Sequence, residues 1–169
     1  MPKPNITDYP KYFGKYINQV PEEELSEAFK NQFPKIERFL QSIDEAKADY
    51  AYAPGKWTLK ELLLHTIDAE RIFNYRALCF ARKETVSLPS FDENLYAENS
   101  NANIRSWKSL SGEFINVRRS TEDLFNSFSD ATLQQLGSAN NNSTSVLSLG
   151  FILIGHVYHH IKVVEERYR

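Results

Sequence analysis

The stretch from Ser145 to Val164, SVLSLGFILIGHVYHHIKVV, reads as a buried helix that carries three histidines. Leu149, Ile152, Leu153, His156 and His160, with Val163 or Val164, recur at three- and four-residue steps. That is the period of one helix face, and no half-buried strand repeats in this way. Ser143, Thr144 and Ser145 are N-cap candidates, because a hydroxyl at that position accepts from the free N–H groups of a first turn. Phe151, Ile152, Leu153 and Ile154 precede the histidines and Ile161, Val163 and Val164 follow them, so the histidines face a core and need polar or metal partners there.

Three further stretches have the same period. Leu25, Phe29, Phe33, Ile36, Leu40 and Ile43 predict a helix that starts at Pro21, where proline lacks only a spare donor and Glu22, Glu23 and Glu24 face the positive end of the dipole. Pro34 removes one hydrogen bond midway and predicts a kink or short break near Asn31. Thr58-Leu59-Lys60-Glu61 has capping-box spacing and opens a second helix, from about Thr58 to Arg82. Trp107, Leu110, Phe114, Val117, Thr121, Leu124 and Phe128 mark a third. Between the second and third, Lys83 to Asn103 is a long crossover in which Asp92 is placed to cap a short helix. Asn140-Asn141-Asn142 reads as a loop tip, and no alternating strand is evident. The expectation is an all-α protein, a four-helix bundle with a long crossover between helices 2 and 3, forming a single domain over residues 1–169.

The chain has 169 residues, 41% of them hydrophobic, enough for one core without disulfides. A net charge of -2 offers no field for phosphate backbones, so nucleic acid is not an expected partner. One cysteine excludes zinc fingers, C-x-x-C redox motifs and iron–sulfur clusters, and fits a reducing cytoplasm. Cys79, between Leu78 and Phe80, is expected in the core and inert. Met1 to Pro10 lacks a signal-peptide pattern, and Val146 to Tyr158 is too short and interrupted to span a bilayer, so no membrane association is expected.

Of four histidines, His156, His159 and His160 fall within five residues, and any metal chemistry must be built around that cluster. His156 and His160 lie one turn apart and can converge on one ion, although the same spacing occurs where histidines merely complement the dipole near a helix end. No glutamate follows His156, which excludes the H-E-x-x-H base of zinc proteases. Gly155 implies either close helix approach or room for a ligand. His159 projects from a neighbouring edge and is expected at solvent, at an interface or behind the ligands. His65, in the second helix, is the best candidate for a third ligand. Glu61 and Asp68 lie one turn either side of it as candidate catalytic carboxylates, and Arg76, three turns on, is a candidate for cofactor binding. For Asp68 and Glu70, ordinary pairing with Arg71 or another surface partner is the competing reading.

Several separated motifs are similar to the DinB-like superfamily. They are Tyr52-Ala53-Pro54-Gly55-Lys56-Trp57-Thr58-Leu59-Lys60-Glu61, His65, Ile67-Asp68-Ala69-Glu70-Arg71-Ile72-Phe73, Tyr75-Arg76-Ala77-Leu78, Leu88-Pro89-Ser90-Phe91-Asp92, Val117-Arg118, Ser145-Val146 and Gly155-His156-Val157-Tyr158-His159-His160, with Glu166-Arg167-Tyr168 near the end. The resemblance implies a four-helix bundle with a long crossover, a homodimer, and a divalent metal (nickel, zinc or iron) held by His65, His156 and His160. Members with an assigned activity resemble S-transferases that use a low-molecular-weight thiol, and others are described as metal-dependent hydrolases. Both imply a small-molecule substrate. Usual members have glycine at the position of Ser90, so the substrate loop is expected to differ here.

Overall fold

The computed structural model describes residues 1–168. Its four long helices are α2 (Leu25–Ser42), α3 (Leu59–Ala81), α5 (Trp107–Asn126) and α7 (Val146–Arg167). Short helices α1 (Gly14–Ile17), α4 (Glu93–Asn99) and α6 (Asp130–Leu133) lie in the connections. Around the bundle α7 packs on α2 and α3, and α5 packs on the same two helices, so α5 and α7 stand diagonally opposite. The crossover between α3 and α5 contains α4, capped by Asp92, whose carboxylate accepts from the backbone N–H groups of Asn94 and Leu95.

The helix starts follow side-chain chemistry. Thr58 and Glu61 close a reciprocal capping box on α3. Ser106 caps α5 and Ser145 caps α7, each accepting from the N–H three residues on. α2 departs from expectation at both points raised by its prolines. It starts at Leu25 rather than Pro21, because the Met1 ammonium pairs with Glu24 and the Met1 carbonyl accepts from Leu25 N–H, so the N-terminal residue supplies the cap. It also runs unbroken through Pro34. Ile36 and Leu40 beyond the proline are buried like Ala28 and Phe29 before it, and Gln32 donates to the Ile154 carbonyl at 2.7 Å, tying the middle of α2 to α7.

A strand pair joins the helices where none was expected. β1 (Leu136–Ala139) and β2 (Asn142–Ser145) form an antiparallel hairpin whose two-residue turn, Asn140-Asn141, has φ of 50° and 58°. Asparagine tolerates that left-handed conformation, and turns of this hand match strand twist. The strands are short and polar, so they leave no alternating apolar signature. Leu88 of the crossover bonds to the hairpin through Ser138 and Asn140, and β1 packs on α3 with a Cβ at Gly137 falling 2.0 Å from the Phe80 ring.

Two turns of the sequence reading need correction in the core. The buried face of α5 is Trp107, Leu110, Phe114, Arg118, Thr121 and Phe125, so Arg118 and Phe125 take the places expected of Val117 and Leu124. Arg118 is inside because Glu70, on α3, is buried opposite it; the pair meets at 2.8 Å and Thr121 Oγ1 donates to the other carboxylate oxygen at 2.6 Å. Cys79, expected in the core, is half-buried at its edge. α7 extends well past Tyr158, so among the described residues it is one helix long and apolar enough to cross a membrane. Its apolar length is spent on the protein interior instead, with 67% of the apolar window buried.

Candidate metal centre

α3 and α7 bring His65, His156 and His160 together at the bundle's side. His65 Nε2 lies 3.2 Å from His156 Nε2, and His160 Nε2 lies 3.0 Å from the same atom. One ligand atom from each of the three falls within 4.8 Å of the others, and no carboxylate or thiol joins this group among the described residues. His65 and His156 are buried and His160 is half-buried.

Burial disfavours the charged imidazolium, and it pushes His65 down to about 4. His156 and His160 are held well below the usual histidine range by burial first, and then by the other histidines of the cluster. The three rings are therefore neutral at pH 7, the form that ligates metals. A neutral ring has one N–H, so the three clustered Nε2 atoms cannot all satisfy one another. Ligands about 2.05 Å from a tetrahedral zinc ion would be about 3.3 Å apart, close to the separations seen here. Donor type, protonation and spacing all fit a divalent cation.

Surrounding aromatic groups hold the rings in place. Trp57 lies against His65 with ring centres 4.7 Å apart, and Tyr168 Oη donates to the Trp57 carbonyl at 2.7 Å, tying the end of α7 to the Trp57 backbone. Tyr16 meets His156 edge-on at 5.3 Å. It reaches that position because α1 lies directly on α7 at Gly155, where a Cβ would fall 2.1 Å from the Tyr16 carbonyl oxygen. Gly155 thus marks close approach, and the N-terminal segment over residues 1–20, which carries Tyr9, Tyr12 and Tyr16, forms a wall of the site. The Tyr16 phenol is kept protonated by burial first, then by its hydrogen bond with Tyr12 and the charge of Glu93. His159 packs edge-on against Tyr16 and lies outside the convergent group.

A cavity of about 370 Å³ opens beside His65 and His156. The N-terminal lead, α3, the crossover and the hairpin tip each supply part of its wall, including Tyr16, Phe73, Phe91 and Asn140. Ser90 lines it, so the glycine-to-serine departure noted in the sequence falls on the cavity itself. Arg76 also lines it, buried and donating through Nη2 to the Pro89 carbonyl at 2.8 Å.

The two candidate carboxylates are directed elsewhere. Glu61 uses Oε2 to accept from Thr58 N–H and Oε1 to accept from the Asn103 amide, so its carboxylate is committed to the helix cap and the crossover. Asp68 faces Arg71, 3.8 Å away. Neither lines the cavity; the carboxylate that does is Glu93, at the first turn of α4, which sequence spacing had not singled out. Glu70 pairs with buried Arg118 instead of a surface partner.

The DinB superfamily model matches residues 28–164. No curated protein matches the sequence. Among solved structures, YfiT from Bacillus subtilis, described as a probable metal-dependent hydrolase with an unusual four-helix bundle topology, is similar with a TM-score of 0.73 and 16% identity. The match covers 97% of this chain and 90% of that one, so the two share a fold along nearly their whole length. With helices, crossover and clustered histidines arranged as above, and the family model spanning most of its length, the chain belongs to the DinB superfamily.

Proposed function

We propose that the chain is a divalent-metal-dependent enzyme acting on a small molecule in the 370 Å³ cavity. The convergence of three neutral imidazoles, two of which, His65 and His156, line the cavity, carries this reading. His65, His156 and His160 would hold the ion, and three protein ligands leave a position open, as catalytic sites require. A divalent cation there would supply Lewis acidity, lowering the pKa of a water molecule or a thiol in the remaining position. The chain's own residues orient and enclose: Trp57 and Tyr16 fix two of the rings, and Phe73 and Phe91 keep the neighbouring space apolar. Cys79 does not line the cavity, so a thiol nucleophile would come from a low-molecular-weight cofactor and a hydrolase would use water. Within this reading the protein is cytoplasmic and works as a homodimer.

Elemental analysis of the protein supplied with zinc, nickel or iron tests the centre. About one ion per chain is expected in wild type and a large loss in His160→Ala; unchanged metal content in the variant defeats the proposal. Cobalt substitution then separates the chemistries. A change in the visible spectrum on adding a low-molecular-weight thiol supports thiol transfer, whereas no change together with turnover on an ester panel supports hydrolysis. Stoichiometric metal without activity in either panel would leave a metal-binding interaction protein.

A further inference from the structure

Arg76 is a buried cation without a counter-carboxylate. It is 8% exposed, and its hydrogen bond to the Pro89 carbonyl is met by no ion pair among the described residues. Its guanidinium carbon lies 5.4 Å from the centre of the Phe73 ring. Burial lowers its pKa, with no nearby acid offsetting the effect. Glu93, the carboxylate in the cavity wall, acts on Tyr16. An arginine held this way has several N–H groups free to donate to whatever enters the cavity, and its planar fork suits an oxyanion.

Its position relative to the histidines sets the shape of that ligand. His65, Ala69, Phe73 and Arg76 follow one another at four-, four- and three-residue steps, one stripe of α3, and all four line the cavity. From His65 to Arg76 the helix rises about 16 Å, a span shortened where the long Arg76 side chain reaches back over Phe73. Ala69 leaves room between the two ends, and Phe73 and Phe91 line that interval with apolar surface. Resting on the proposed use of the cavity as a reaction site, we infer that the substrate is an organic anion with an apolar body, its carboxylate or phosphate-like group held by Arg76 and its reacting group directed to the histidines.

The test uses three matched probes at pH 7.5: phenylacetate, phenylphosphonate and the neutral phenylacetamide. Binding is measured calorimetrically on metal-free and zinc-loaded full-length protein. Metal-free wild type is expected to bind at least one of the anions roughly tenfold or more tightly than the amide, as charge-assisted hydrogen bonds require. Arg76→Met should lose that preference while retaining amide binding, and Arg76→Lys should keep part of it. Arg76→Gln, which retains a donor for Pro89, is the second neutral variant if methionine disturbs the wall. Which anion is preferred separates a planar carboxylate from a tetrahedral oxyanion, and either supports the inference. Equal binding of anions and amide, no anion binding in either state, or a preference that survives Arg76→Met overturns it. An anion preference seen only with zinc and indifferent to Arg76 places the anion on the metal and likewise overturns it. Zinc content, read separately, decides the metal centre: protein that takes up no zinc yet discriminates through Arg76 refutes the centre and supports the anion site.

Discussion

Replacing Arg118 with methionine keeps most of the side-chain volume but leaves Glu70 buried without its cation. Both side chains are only 1% exposed in the wild type, and the carboxylate accepts from Arg118 at 2.8 Å and Thr121 at 2.6 Å. Burial already raises the Glu70 pKa, with Arg118 and Thr121 pulling it back down. Without Arg118 the carboxyl can remain inside by taking up a proton. From an ordinary value of 4.5 that costs about 3 kcal/mol at pH 7, at 1.36 kcal/mol per pH unit. This agrees with the roughly 3–5 kcal/mol generally lost when one member of a buried pair is removed. The guanidinium also lies 5.5 Å and 5.8 Å from the Phe29 and Phe114 ring centres, contacts that methionine replaces in part. In the variant the native state binds more protons than the unfolded chain above pH 4.5, so stability falls as pH rises from there to the raised pKa. Urea denaturation should therefore show a loss of up to about 3 kcal/mol at pH 7, reduced by whatever the raised wild-type pKa already costs, and a smaller one at pH 5. The double variant Glu70→Leu with Arg118→Met should recover most of the difference. A loss below about 1 kcal/mol at pH 7, or a double variant no more stable than the single one, would refute this account of the pair.

Three other outcomes are expected. In metal-free protein His65, with a pKa of about 4 against 6.5 unfolded, binds fewer protons folded than unfolded. Stability should be present above pH 6.5 and lost toward pH 4, by up to about 3 kcal/mol from this residue; a urea midpoint flat between pH 7.5 and 4 would contradict it. Gly155→Ala should lower the melting temperature despite the better helix propensity of alanine, because its Cβ meets the Tyr16 backbone, a contact that flexible side chains cannot relieve; a higher melting temperature would show that α1 does not lie on α7 there. Glu61→Ala should cost about 1 kcal/mol through the lost cap while leaving metal content unchanged, and loss of metal at unchanged stability would return Glu61 to the site.

The sequence by itself determined the four long helices, two of their caps, the crossover with its Asp92-capped helix, and the three histidines. These are local matters: apolar period, hydroxyl placement and turn chemistry act over a few residues. The hairpin escaped because Leu136–Ala139 and Asn142–Ser145 lack apolar alternation and are held by Asn140-Asn141, Leu88 and Phe80. Arg118 escaped because a charged residue enters a core stripe only when its partner is opposite, and Glu70 lies on another helix. The fate of Glu61 and Asp68 was likewise beyond spacing, since both share a helix with His65 but point their carboxylates to Thr58 and Arg71. Only the tertiary structure placed Tyr16 on His156, Trp57 on His65, and Arg76 in the same cavity as the histidines. Helical period says which residues share a face; which face closes on which, and what space is left between them, depends on packing among elements distant in the chain.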